Sequence, residues 1–129
     1  MASFAEQILM VLNPNALIGE ENGRVCFIED VTDLQGREYR MEIQSTPDGQ
    51  HALGWCRFNP HGPTPNAGVP FVQGHCRDDG FLCLAPNQHG DKVETSPYDA
   101  AWCVRRARYW AIAFSVLKET GEFPQPDEE

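Results

Sequence analysis

Hydrophobic and polar side chains alternate most regularly from Arg37 to Gln44, where Tyr39, Met41 and Ile43 take every second place against Arg40, Glu42 and Gln44. A period of two is that of a strand with one face buried. Arg24 to Glu29 is rich in strand formers, and Asp33-Leu34-Gln35-Gly36 joins the two segments as an antiparallel pair. Thr46-Pro47-Asp48-Gly49 has the residues of a tight turn, after which Ala52 to Phe58 reads as a third strand. Between Asn59 and Pro70 the alternation ends. Pro60, Pro63, Pro65 and Pro70, with Gly62 and Gly68, cannot supply regular ladder donors. This stretch therefore predicts an irregular crossing, with Val69 to Val72 as a short fourth strand at its far end.

A helical period marks both ends of the chain. Phe4, Ile8, Leu9 and Leu12 share one face behind Ser3, and Asn13-Pro14-Asn15 stops them. Near the other end, Ser96-Pro97-Tyr98-Asp99 offers a capping hydroxyl, a proline at the first helical position and a carboxylate three residues after the cap. Tyr98, Trp102, Tyr109, Ile112 and Val116 then keep a helical period until Gly121 and Pro124. A helix from Pro97 to Glu119 would be roughly 35 Å long, and Trp102 and Tyr109 are its expected buried face. These elements predict an α+β domain: a short N-terminal helix and a four-stranded antiparallel meander packed on the long helix. The domain covers residues 1–121, and 122–129 form an acidic, proline-containing tail.

Composition narrows the classes of function. A chain of 129 residues with 41% hydrophobic and 22% charged side chains is of a size and character to fold as one domain. Its formal net charge of -9 repels a phosphate backbone, so nucleic acid is excluded as an expected partner and a basic protein surface is favoured. The local cluster Arg105, Arg106 and Arg108 reads as a solvated helix face. Apolar runs are too short to span a bilayer and the N-terminus lacks the flank of a signal peptide, so the expected location is the cytosol, with no membrane partner. Cys26, Cys56, Cys76, Cys83 and Cys103 are then expected as thiols, the first two and the last as small core residues. No disulfide is expected between Cys76 and Cys83.

The segment richest in chemistry is Gly74-His75-Cys76-Arg77-Asp78-Asp79-Gly80-Phe81-Leu82-Cys83-Leu84. A histidine, an acidic turn closed by glycine and a cysteine between two leucines bring an imidazole and a thiol to either side of one short bend. Cys83 and His75 are the candidate reacting pair. Asp78 and Asp79 add negative charge that opposes ionisation of Cys83, or simply form a solvated turn before Gly80. Asp91 could orient an incoming amine or be an ordinary loop carboxylate. Cys83 itself has a plain alternative as a core thiol between Leu82 and Leu84. Other chemistries fit the same residues: a thiol hydrolase with His75 or His89 as base and Asp91 as orienter, and a zinc site of His75, Cys76, Cys83 and His89. The hydrolase reading meets Pro86 where a helix start would activate the nucleophile, and the zinc reading lacks paired ligands at two- to four-residue spacing.

Glycine three residues before a cysteine, leucine directly after it, and a hydrogen-bonding side chain eight residues before it form a pattern similar to that of ubiquitin-conjugating enzymes. Here Gly80, Cys83 and Leu84 match, and His75 stands where the family carries asparagine. Ser96-Pro97 matches two residues of the family's Trp-Ser-Pro entry to the following helix. The specific likeness covers Val69 to Tyr98; elsewhere it is a shared order of elements. The His-Pro-Asn triplet is absent, the loop after Cys83 is longer, and the chain ends before the additional helices of eukaryotic members. In these respects it resembles the bacterial branch, associated with ubiquitin-like conjugation in phage defence. The resemblance implies a ubiquitin-conjugating fold, and a transferase that takes a ubiquitin-like modifier from an activating enzyme as a thioester on Cys83 and passes it to an amine of a target protein. It implies no cofactor and no metal, and it leaves a non-catalytic modifier-binding module of the same fold as the alternative.

Overall fold

A computed structural model describes residues 17–21, 24–46, 51–84 and 99–124. Its sheet has four antiparallel strands in sequence order: β1 Leu17–Glu21, β2 Arg24–Thr32, β3 Glu38–Ser45 and β4 Ala52–Phe58. Antiparallel neighbours need only short connections, which is why this order follows the chain. The β2–β3 link turns as the sequence predicts, with Gly36 N–H on the Asp33 carbonyl at 3.2 Å. The expected helix from Ser3 to Leu12 and the core of the Pro47–Gly49 turn lie outside the described residues.

One expectation about the sheet is corrected. Its fourth strand is Leu17–Glu21, paired along β2, and not Val69 to Val72. Those residues instead enter a single helical turn, α1, Phe71–Gly74. Pro70 brings no N–H to a ladder, and its carbonyl accepts from Gln73 and Gly74, both at 3.0 Å, which starts a turn in place of a strand. The outer edge of β4, where such a strand would pair, is taken by residues 80–82.

The long helix, α2, runs Ala100–Thr120, and its N-cap is Asp99, whose carboxylate accepts the Trp102 N–H at 2.8 Å. The expected start at Pro97 is corrected: Asp99 is extended, φ -80° and ψ 171°, and its carboxylate takes the capping place expected of Ser96, which with Pro97 lies outside the described residues. The buried stripe also differs from expectation. Trp110 is 2% exposed and packs with Cys103, Val104, Ala107, Ala111 and Phe114 on Phe27, Tyr39, Met41, Ile43 and Cys56 of the sheet. Trp102 and Tyr109 are only half-buried on the flanks. Alanine and cysteine at 100, 103, 107 and 111 let the helix axis approach the strands, and that closeness selects the stripe.

One buried polar cluster ties the far end of α2 to the sheet. Asp33 Oδ1 accepts the N–H groups of Gln35 and Arg37 at 2.8 and 2.9 Å, while Oδ2 accepts Arg37 Nε and the Ser115 hydroxyl, both at 2.7 Å. Burial works against this charge, but the bonds from Ser115, Arg37 and the two amides outweigh it and hold Asp33 well below the usual carboxylate range. Its ionised carboxylate only accepts, so the Ser115 hydrogen points to Asp33. Tyr39 OH at 2.6 Å and His61 Nε2 at 2.9 Å must then donate into the Ser115 oxygen. The neutral His61 imidazole thereby carries its proton on Nε2. Burial lowers its affinity for a second proton below the ordinary imidazole value.

Asp33→Asn should lower stability at neutral pH by about 2 kcal/mol, because it breaks a charged, fully bonded acceptor. The pH response has a definite sign. Asp33 binds its proton less readily folded than unfolded, so its contribution is present above the ordinary value of 3.8 and is lost as pH falls from there. His61 and His75, also depressed, contribute fully above 6.5, and that contribution shrinks as pH falls below it. Urea unfolding across acid pH should show the lower loss flattened in Asp33→Asn and the upper one retained.

Candidate functional site

Residues 75–83 form a hairpin. Cys76 and Leu82 are bridged, Arg77 N–H bonds the Phe81 carbonyl at 2.9 Å, and Gly80 N–H bonds the Arg77 carbonyl at 2.9 Å. Gly80 closes the acidic turn at φ 100°, a backbone region that side chains with a Cβ avoid. This hairpin is bonded to the edge of β4: Cys56 N–H donates to the Gly80 carbonyl at 2.8 Å, and Leu82 N–H to the Gly54 carbonyl at 2.9 Å. A Cβ on Gly80 would lie 2.3 Å from the Cys56 carbonyl oxygen, so only glycine permits the approach. Trp55 and Phe81 meet edge to face at 5.6 Å across the same seam.

Alternation along the second arm then decides which way each side chain points. Leu82 and Leu84 are buried in the core, at 0% and 7% exposure, and Cys83 between them is half-buried on the opposite side. The two leucines that make a core thiol plausible in the sequence are thus what turn Cys83 outward. Cys26, Cys56, Cys76 and Cys103 are buried, and all five side chains are thiols. Burial pushes the Cys56 thiol up to about 12 and raises Cys76 and Cys103 as well, so none of these three ionises near neutrality.

His75 stands across the hairpin from Cys83, whose N–H bonds the His75 carbonyl at 2.9 Å. It caps α1 in the left-handed conformation, φ 59° and ψ 28°. Its neighbour Gly74 is fastened to α2, because the Trp110 indole N–H donates to the Gly74 carbonyl at 2.8 Å and Phe114 fills the space a Cβ would need. Burial lowers the imidazole's affinity for protons, which keeps it neutral at pH 7. A neutral imidazole has one donor and one acceptor nitrogen. The Leu84 carbonyl accepts Arg106 Nε at 3.3 Å, so the residues on either side of Cys83 are both anchored.

The remaining sequence candidates separate. Asp79 is ion-paired with Arg77 and accepts the Phe81 N–H at 3.1 Å, and the Arg77 bond leads in holding its carboxyl below the ordinary range. It serves the turn. Asp78 is exposed on the same turn. Asp91 and His89 lie outside the described residues, as does the loop that carries them. Cys76 faces the core, where its thiol reaches the Pro65 and Arg77 carbonyls, so it diverges from Cys83. Among the described residues no three His, Cys, Asp or Glu side chains converge as metal ligands. The arginine cluster is only partly solvated: Arg108 makes two bonds to buried Glu29 at 2.7 and 2.8 Å, Arg106 stacks on Trp102 at 4.9 Å, and Arg105 is exposed. Sequence pattern missed Trp110 and Arg106 as supports of the site, since nothing local to either residue names its distant carbonyl partner.

A small thiol alkylator applied to the native protein should therefore modify Cys83 first, with Cys56, Cys76 and Cys103 reacting only on unfolding; peptide mapping reads the order, and prior labelling of Cys56 would contradict it. Gly80→Ala should cost more stability than Gly36→Ala. Both residues have positive φ and share a backbone strain of roughly 1–3 kcal/mol, but a Cβ at Gly36 meets nothing within 4 Å, so the excess at Gly80 measures the clash with Cys56. Equal costs would show that the hairpin is not held this closely. Compared with protein-family models, curated proteins and solved structures, the chain gives no match.

Proposed function

We propose that the protein is a conjugating enzyme for a ubiquitin-like modifier, similar to the bacterial branch of the ubiquitin-conjugating enzymes, with Cys83 as acceptor and His75 as its partner. The observation that carries this reading is the half-buried Cys83, between two buried leucines and bonded through its N–H to the His75 carbonyl across a hairpin. The order of elements supports it: an antiparallel meander, a proline-rich crossing, a helical turn, the cysteine segment and a long helix follow one another in an order similar to that of the family.

The chemistry follows from the thiol. The Cys83 thiolate attacks the thioester carbonyl that joins the modifier to its activating enzyme, and the enzyme's cysteine leaves as thiolate. This exchange conserves the thioester bond, so the step needs no nucleotide. A target amine then attacks the new thioester, the carbonyl oxygen takes up negative charge, and collapse expels the Cys83 sulfur while the amine gives up a proton. His75 can donate its N–H to the developing oxyanion, and its other nitrogen can take the proton from the amine. Neither role requires the imidazole to start charged.

With the modifier, its activating enzyme and ATP, wild-type protein should gain an adduct that thiol reductant removes. Cys83→Ala should gain none, and Cys83→Ser should hold a reductant-resistant ester. His75→Ala should charge normally and discharge to amines about a hundredfold more slowly. His75→Asn should recover part of that loss if the imidazole acts as a donor and little if it acts as a base. Normal charging of Cys83→Ala would end this reading.

A further inference from the structure

The backbone of His75 has no freedom left. Its N–H bonds the Phe71 carbonyl at 2.8 Å, its carbonyl accepts Cys83 N–H at 2.9 Å, and the carbonyl before it is held by Trp110. What remains is rotation of the imidazole. Among the described residues its nitrogens have no hydrogen-bond partner, and its ring contact is Phe123, with centroids 4.6 Å apart and planes inclined by 59°. Phe123 comes from beyond the end of α2 and is tethered on both sides. Gly121 N–H bonds Leu117 at 2.8 Å and Glu122 N–H bonds the Thr120 hydroxyl at 3.2 Å, while the Tyr109 hydroxyl donates to the Pro124 carbonyl at 2.9 Å. A segment joined back to its own helix in this way lays one aromatic ring on one imidazole.

We propose that Phe123 is a positioning residue for His75, holding the imidazole in one orientation and shielding it from water on the side of the helix end. Its effect on transfer rests on the pairing of His75 with Cys83 proposed above; the contact itself does not. The charged and titratable groups on the surrounding elements are Cys76, Arg77, Asp78, Asp79 and Cys83 of the hairpin, Glu122 of the segment after α2, and Cys103, Arg105, Arg106, Arg108, Tyr109, Lys118 and Glu119 of α2. Among the described residues burial, not one of these charges, lowers the proton affinity of His75. Removing the ring therefore opens the imidazole to solvent and raises its protonation midpoint, whereas ordinary core packing by Phe123 would alter stability and leave the midpoint where it was.

The test is an NMR titration of histidine-labelled full chain, with the His75 signal assigned by its absence in His75→Asn. Phe123→Ala should raise the midpoint toward the ordinary imidazole value of 6.5, and Tyr109→Phe, which cuts the tether to Pro124, should raise it by less. Phe123→Trp should keep the wild-type midpoint. In the discharge assay Phe123→Ala should charge normally and transfer about tenfold more slowly. If Phe123→Ala does not fold, Tyr109→Phe decides. A wild-type midpoint in folded Phe123→Ala, or in Tyr109→Phe when that variant must decide, overturns the proposal. Failure of wild-type protein to charge on Cys83 would instead strike the transfer reading and leave the titration to judge Phe123.

Discussion

The contact between Gly80 and β4 is the constraint on which the candidate site depends. A hairpin as short as residues 75–83 has no independent stability. It persists because Cys56 and Leu82 bond it to the sheet edge, and those bonds form only where the hairpin backbone comes within a distance that excludes a Cβ. The same contact covers the β4 edge that would otherwise be open to pairing with another chain. Once the hairpin is docked, Leu82 and Leu84 can reach the core only on one side, and Cys83 is left on the other.

Helix α2 holds this arrangement from behind through side chains that each seize a different element. Trp110 takes Gly74, Arg106 takes Leu84, Cys103 reaches the Ala52 carbonyl at 3.3 Å, Arg108 takes Glu29 and Ser115 takes Asp33. Buried polar groups are tolerated here because each finds a partner. The Asp33–Ser115–Tyr39–His61 cluster goes further, since one ionised carboxylate dictates the direction of every proton in it. That cluster fixes the rotation of α2 about its own axis, and so where Trp110 and Arg106 stand.

Reactivity among the five cysteines is sorted by burial. Four thiols share the core with aliphatic and aromatic neighbours, and burial keeps Cys56, Cys76 and Cys103 protonated; Cys83 alone of the five is partly exposed. Asp79 is ion-paired with Arg77, yet with Asp78 it still adds to the burial that raises the Cys76 thiol. For the proposed transfer this means that the fold supplies position and a neutral hydrogen-bonding ring, while the reacting thioester is brought by the partner protein.

Local chemistry by itself marked the strands at 24–29, 37–44 and 52–58, which the structure extends to Thr32 and Ser45, together with the turn at Gly36, the bend closed by Gly80 and the stop of the long helix at Gly121. In each case the cause lies within a few residues: a period of two, or a glycine at a backbone angle other residues resist. The pairing of His75 with Cys83 across their bend was legible for the same reason. Tertiary structure decided the rest. Leu17–Glu21 became a strand because β2 offered an edge, Val69 to Val72 became a turn because residues 80–82 had taken the edge of β4, and Trp110 displaced Trp102 and Tyr109 from the core because alanines and cysteine beside it admit the sheet. Asp33, Tyr39, His61 and Ser115, and likewise His75 and Phe123, are too far apart in the chain for any local pattern to join them, and a buried polar group or an idle ring finds its partner only after the backbone has been folded around it.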